Sequence, residues 1–345
     1  MNLKIKSRPV ETVATGKVNP IRNSQTLWVA CACLALVAFF SLASESNAFW
    51  SSTVAQSIAI TGAGIVALTV TQALLLGAGH IDISQGAIVV ISSVVAGKTI
   101  VFVSGNASLG ETTSNVPIGI ALGLAAGFLS GAVFGLINGF LIAIVGLDPL
   151  IVTLAMLGVA TGAAQVITQG ANISGMPEQL QTHFGLGQLA GIPAPAVVVT
   201  VLIILISLLF HRTKFGVHTL AIGSNRSAAE RGGVLVKRHI VKLYVLSGLA
   251  GALVGIIGLA RFSTTDIGGH ANSALAALSG AVIGGSRLSG GKTSIIGAVF
   301  GALLAVILQI GLVVIDVDPF YQTIAIGLVL IAAIWLDKVR TRNAL

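Results

Sequence analysis

Along this chain hydrophobic residues come in long, nearly uninterrupted runs separated by short polar stretches. A helix needs about 20 apolar residues to cross about 30 Å of hydrocarbon. Runs on that scale fall at 27–43, 54–76, 84–103, 116–145, 149–168, 194–210, 243–260, 273–285, 295–315 and 322–336. They predict an all-α integral membrane protein, a polytopic helical bundle of about ten transmembrane spans. Two runs are irregular. The run 116–145 is long and is expected to bend at Gly135 or Gly139, while 273–285 is too short to cross alone and reads as a half-helix ending at Gly284-Gly285. Non-helical backbone at membrane depth persists only where protein or water satisfies its polar groups, so such breaks point inward, toward a pathway.

Composition removes the main competing class. Charged residues make up 9% of the 345 and hydrophobic residues 55%, with 42 glycines and a mean hydropathy of +0.98. A soluble domain carries about 25% charged residues, so a water-soluble enzyme is excluded, and the spans leave no room for a large soluble domain. The net charge of +8 is explained by where the positives sit. With the N-terminus in the cytoplasm, 17 of the 19 Lys and Arg residues fall on the cytoplasmic side, and only Lys98 and Arg261 on the other. Seven of them lie in the loop 211–242, and acidic residues show no such bias. This is the positive-inside pattern, and nucleic acid is not needed to account for it. The expected plan is a cytoplasmic basic tail at 1–26, a transmembrane domain at 27–337 with the cytoplasmic loop 211–242, and a cytoplasmic tail at 338–345. The charged leader runs too far before the first apolar stretch for a cleaved signal peptide. Cys31 and Cys33 lie inside the first run without His or acidic neighbours and read as packing residues.

Few polar groups interrupt the spans. Gly79-His80-Ile81-Asp82-Ile83-Ser84-Gln85-Gly86 carries the one carboxylate between Glu45 and Glu111. An ionisable group near hydrocarbon is costly and is a functional candidate. Asp82 with Ser84 also suits the N-cap of the third span, and His80 beside Asp82 admits a proton relay. Asn138 lies among Gly127, Gly131, Gly135 and Gly139, a repeated small-xxx-small face. Either it bonds across a helix interface or it faces a hydroxylated solute. Gly290-Gly291-Lys292-Thr293 echoes the end of a phosphate-binding loop, but Ser286 stands where that loop needs its first glycine. The six histidines are scattered, and no HExxH or GxSxG occurs, so an intramembrane enzyme and a metal site are both disfavoured. The outer segment 169–193 could form a short surface helix.

Four motifs in order are similar to the membrane permease subunits of bacterial ATP-binding-cassette sugar importers of the ribose/xylose/galactose type, over about Ile60 to Asp337. They are Gly79-His80-Ile81-Asp82-Ile83-Ser84-Gln85-Gly86; Gly135-Leu136-Ile137-Asn138-Gly139 followed by Pro149-Leu150-Ile151-Val152-Thr153-Leu154; Ala221-Ile222-Gly223-Ser224-Asn225 with Ala228-Ala229 and Gly233-Val234; and Tyr244-Val245-Leu246-Ser247-Gly248 with Ile283-Gly284-Gly285-Ser286 and Leu288-Ser289-Gly290-Gly291. The chain departs from the pattern at His80, Thr161 and Arg287-Leu288, and Asn272-Ser273-Ala274-Leu275 lacks the acidic residue many relatives carry.

The resemblance implies a transport subunit in the bacterial inner membrane that holds no cofactor and no ATP of its own. Its partners would be a cytoplasmic ATPase, a periplasmic sugar-binding protein, a second permease copy in a homodimer or heterodimer, and membrane lipid. Gly223, Asn225, Ala228, Ala229, Glu230 and Gly233 would form the coupling element seated in the ATPase, with Glu230 and Arg231 free to pair across that joint. Asp82, Ser84, Asn138, Thr153, Gly284 and Gly285 would line the substrate path or hold its structure. The rival reading is a proton-coupled secondary transporter using Asp82 and His80.

Overall fold

Long apolar runs become helices because nothing in a membrane interior satisfies an open backbone. The structure is a computed structural model and describes residues 24–110, 115–270 and 272–318, with isolated positions to 328. The tail 338–345, nearly all of the tail 1–26, and most of the predicted tenth span, 322–336, lie outside the described residues. The helices are α1 (Ser24–Ala43), α2 (Ser52–Gly77), α3 (Gln85–Ser104), α4 (Val116–Phe140), α5 (Pro149–Thr168), α6 (Glu178–Leu180), α7 (Ala194–Arg212), α8 (Lys214–Ser224), α9 (Arg226–Arg231), α10 (Val236–Phe262), α11 (Ser273–Ile283) and α12 (Ile295–Val314). Among the described residues eight helices are long and apolar enough to cross a membrane, and α11 is the short one anticipated at 273–285. The segment between α5 and α7 forms α6, a wide turn at Gln181–Gly185 and a two-stranded hairpin, β1 (Gln188–Leu189) with β2 (Ile192–Pro193).

α2, α3 and α10 form the centre of the bundle, and α4, α5 and α7 surround it. Leu129, Ile151 and Val166 stand exposed on those outer helices, as suits a lipid-facing surface. α4 packs against α3 and α10 chiefly through glycines: Gly119, Gly123, Gly127, Gly131, Gly135 and Gly139 are all buried, with Asn138 beside them. A Cβ on Gly131 would lie 2.7 Å from the Ala252 side chain, and one on Gly139 would lie 2.8 Å from Val241 Cα. This is close packing of small residues, the attraction that remains when water is not there to drive association. Helical hydrogen bonding of α4 is unbroken through Gly135 and Gly139 to Phe140 and widens in the π-type turn Leu141–Val145, with both glycines pressed onto the backbone of α10.

Two helices begin inside the bundle. Gly79, with φ +76°, reverses the chain after α2, and the His80 amide donates back to the Leu75 carbonyl at 2.9 Å. The chain then climbs beside α2 until Gln85 reaches Thr71, six residues before the end of α2. α3 therefore starts about 9 Å above that end, at 1.5 Å per residue. α11 is prepared similarly from the other side. After α10 the chain is tied to the α5–α6 connection, with Thr265 N–H donating to the Ile173 carbonyl at 3.0 Å. Thr265 lies against Gly97 and His270 against Gly86. The segment thus descends along α3 by 11 residues, about 16 Å, before α11 opens.

Candidate functional site

The connection between α2 and α3 carries a wholly buried polar cluster. Asp82 is 0% exposed and its carboxyl accepts three hydrogen bonds: from Ser84 N at 3.0 Å, Ser84 Oγ at 2.6 Å and Ser247 Oγ at 2.7 Å. Ser84 Oγ in turn accepts from Asn138 Nδ2 at 2.8 Å. Gln85 Nε2 donates to Ser247 Oγ at 2.9 Å and to Thr71 Oγ1 at 3.2 Å, and Tyr244 donates its hydroxyl to the Ile81 carbonyl at 3.0 Å. One aspartate thus gathers α2, α3, α4 and α10. The bonds that converge on Asp82 fix how these helices pack. The expected cap is not what forms: neither Asp82 nor Ser84 accepts from the first-turn amides of α3, since Asp82 is turned toward the amide and hydroxyl of Ser84 and toward α10. Asn138 bonds across the helix interface, and its Oδ1, like Gln85 Oε1 and both amide atoms of Gln72, has no partner although buried.

Directly beneath this cluster glycines meet from three segments. The Gly291 amide donates to the Gly77 carbonyl at 3.0 Å. Gly223, near the end of α8, is so close that a Cβ there would strike the Gly77 carbonyl and lie 2.6 Å from the Gly291 nitrogen. Gly290 approaches both Gly223 and Gly79. Thr293 secures the same place, donating to the Ala73 carbonyl at 2.8 Å and pairing with Ser286 Oγ at 2.7 Å. α8 is held to α10 by Thr219 Oγ1 and His239 Nε2, 2.8 Å apart. α9 follows at once, with Asn225 Oδ1 accepting from Ala228 N at 2.9 Å as its N-cap, Ala229 buried beneath it, and Gly233 in the left-handed region at φ +83°. Glu230 pairs within its own helix with Arg226 at 3.3 Å, which occupies it on this exposed surface.

The predicted path residues do not form one group. Asp82, Ser84 and Asn138 come together. Thr153 is buried on α5 but donates to the Pro149 carbonyl of its own first turn at 2.8 Å. Gly284 sits against Gly297 of α12, and Gly285 against Gln25 of α1. Ser247, Tyr244, Gln85 and Thr71 join the cluster without having been assigned a role from the sequence, as do Gly77 and Gly291 at the glycine joint. Ser247 and Tyr244 were legible only as members of a motif.

A second feature lies at the opposite end. A cavity of ≈ 500 Å³ opens between α2, α10 and α11, with Thr61, Arg261, His270, Asn272, Ser273 and Gln309 supplying its polar groups. Arg261 Nη1 donates to Thr61 Oγ1 at 3.0 Å. Among the described residues no group of three His, Cys, Asp or Glu side chains is placed to hold a metal ion.

Comparison with known proteins agrees with this architecture. Residues 53–334 match the family described as branched-chain amino acid transport system / permease component. The chain is 37% identical over 276 residues to the ribose import permease protein of Bacillus subtilis, covering 80% of this chain and 81% of that one. It is 33% identical over 285 residues to the L-arabinose transport system permease protein of Escherichia coli, covering 83% and 82%. To the fructose import permease protein of Rhizobium meliloti it is 33% identical over 302 residues, covering 85% and 78%. With the match spanning the bundle from α2 through α12, this chain belongs to the branched-chain amino acid transport system / permease component family.

Proposed function

We propose that the chain is the membrane-spanning permease subunit of an ATP-driven importer that moves a monosaccharide or related polyol across the inner membrane. ATP is bound and hydrolysed by a partner subunit. The sugar assignment draws on the relatives, whose names are those of ribose, arabinose and fructose permeases. The observation that carries the mechanism is the glycine joint. α8 and α9 stand outside the spans, and Gly223 rests without an intervening side chain on Gly77 and Gly291. A push on α9 therefore passes directly into the Gly77–Ser84 connection and the Asp82 cluster above it. The α8–α9 end lies in the cytoplasm on this reading, in line with Arg212, Lys214, Arg226, Arg231, Lys237 and Arg238 clustered there. Gly223, Asn225, Ala228, Ala229, Glu230 and Gly233 form the coupling element, an ATPase receives α9, and a periplasmic binding protein meets the opposite face. A second permease copy completes the pathway.

The proton-coupled reading fares worse on the geometry. Burial and the Arg226 guanidinium hold the His80 imidazole down at about 4, so it stays neutral across the physiological range. The Asp82 carboxyl is enclosed by three donors rather than open to a water path. Reconstitution of the chain with its ATPase and binding protein in proteoliposomes tests the assignment: uptake should require ATP and both partners. Uptake sustained by a proton gradient alone would overturn it.

A further inference from the structure

We propose that the ≈ 500 Å³ cavity between α2, α10 and α11 is a solute site for a sugar derivative that carries a carboxylate, an aldonate or uronate, with Arg261 as the residue that reads the charge. The proposal rests on the permease reading above and narrows its substrate class.

The cavity has the size of a small-molecule site, which runs about 300–1,000 Å³, and the mixed character of one. Leu68, Val254 and Ile257 give apolar walls, and the polar groups collect around Arg261. Among the described residues no carboxylate lines it, and the Arg261 side chain has only neutral partners, the Thr61 hydroxyl and the ring of Phe262, whose centroid lies 5.1 Å from the guanidinium carbon. The acidic group nearest in sequence, Asp266, is exposed and already accepts from the amides of Gly268 at 3.2 Å and Gly269 at 2.7 Å. α11 also begins here, and Asn272 at its N-cap makes no side-chain cap bond. The positive end of that helix therefore adds to the guanidinium rather than offsetting it.

A neutral sugar entering this space would displace water from an uncompensated cation and return only neutral hydrogen bonds, a poor exchange for a desolvated charge. A carboxylate supplies the missing countercharge and matches the planar fork of the guanidinium with two parallel bonds, while its hydroxyls suit Ser273, Asn272 and Gln309.

The test uses the full chain in lipid nanodiscs and saturation-transfer NMR, which reads weak binding, with D-gluconate and D-glucose as probes. Gluconate should bind about tenfold more tightly than glucose, the worth of one charge-assisted bond pair over neutral ones. Arg261→Gln should erase that preference and Arg261→Lys should keep part of it. Equal binding of the two probes, no binding of either, or a preference that survives Arg261→Gln would each overturn the proposal. The underlying permease reading is judged separately by uptake in the reconstituted complex. ATP-driven entry of glucose with gluconate excluded would sink the anionic site and leave the permease standing. Loss of all ATP-driven uptake while gluconate still binds through Arg261 would do the reverse.

Discussion

Ser247 of α10 donates its hydroxyl to Asp82 Oδ2 at 2.7 Å across a sequence separation of 165, in a site from which water is excluded. This bond joins the longest central helix to the connection that launches α3. A hydrogen bond to a carboxyl in such a place is worth about 1.5–3 kcal/mol, and a buried donor left without its acceptor costs about as much again. Asp82→Asn, which turns an amide toward three donors, should therefore lower the unfolding midpoint in detergent more than Ser247→Ala does. The double variant should cost less than the sum of the two. Strict additivity would show that the bond does not hold the helices together.

At Gly223 there is no room for any side chain. Gly223→Val should leave membrane insertion intact, because α8 lies outside the spans, but should lower detergent stability by about 1–3 kcal/mol and abolish sugar-dependent stimulation of the partner ATPase. Gly158→Val on α5, where a Cβ meets nothing within 4 Å, is the matched control and should retain full stimulation. Equal behaviour of the two variants would count against the joint.

The N-cap of α9 offers a graded version of the same experiment. Asn225→Ala removes the acceptor of the Ala228 amide and should cost the short helix about 1 kcal/mol, with ATPase coupling reduced by several-fold. Glu230→Gln removes an exposed pair worth less than about 0.5 kcal/mol and should leave stability unchanged. A drop in coupling with Glu230→Gln at unchanged stability would then report a role for Glu230 toward the ATPase.

Along α4 the expectation is one of overpacking. Gly131→Val drives a branched side chain into the Gly248 carbonyl and Ala252, and should cost about 1–3 kcal/mol or eject α4 from its seat. Gly162→Val on α5, with open space around it, should be tolerated. Cysteine cross-linking between α4 and α10 would read the displacement directly.

Much of this arrangement could be read from residue order alone, and the unread part has a common cause. Apolar run length located α1 through α5, α7, α11 and α12 to within about five residues, since span length is set by the bilayer and not by tertiary contacts, but it missed the first seven residues of α10, Val236–Lys242, which are rich in basic side chains. The brevity of 273–285 matches α11, an apolar helix of 11 residues. Hydropathy carries no information on where a polar interruption leads, however, so the climb from Gly79 to Gln85 and the descent from Thr265 to His270 were invisible. Asn138 stood between two readings because its partner Ser84 is 54 positions away. Thr153 resembled a path residue by motif, yet a helical threonine can always bond its own preceding turn, and here it does. The glycine joint was the least legible feature, because Gly77, Gly223 and Gly291 come from three distant segments and differ from other glycines only in what lies against them.

The contact face of α4 has a mechanical meaning as well. A helix seated wholly through side chains is keyed to its neighbour, whereas a strip of glycines every four residues is a rail with few knobs of its own, Phe128 and Phe134 being the large side chains packed beside it. A slip of four residues, about 6 Å, would set each glycine where the next one had been. Asn138, bonded to Ser84, makes the two positions unequal and so acts as a detent on that rail.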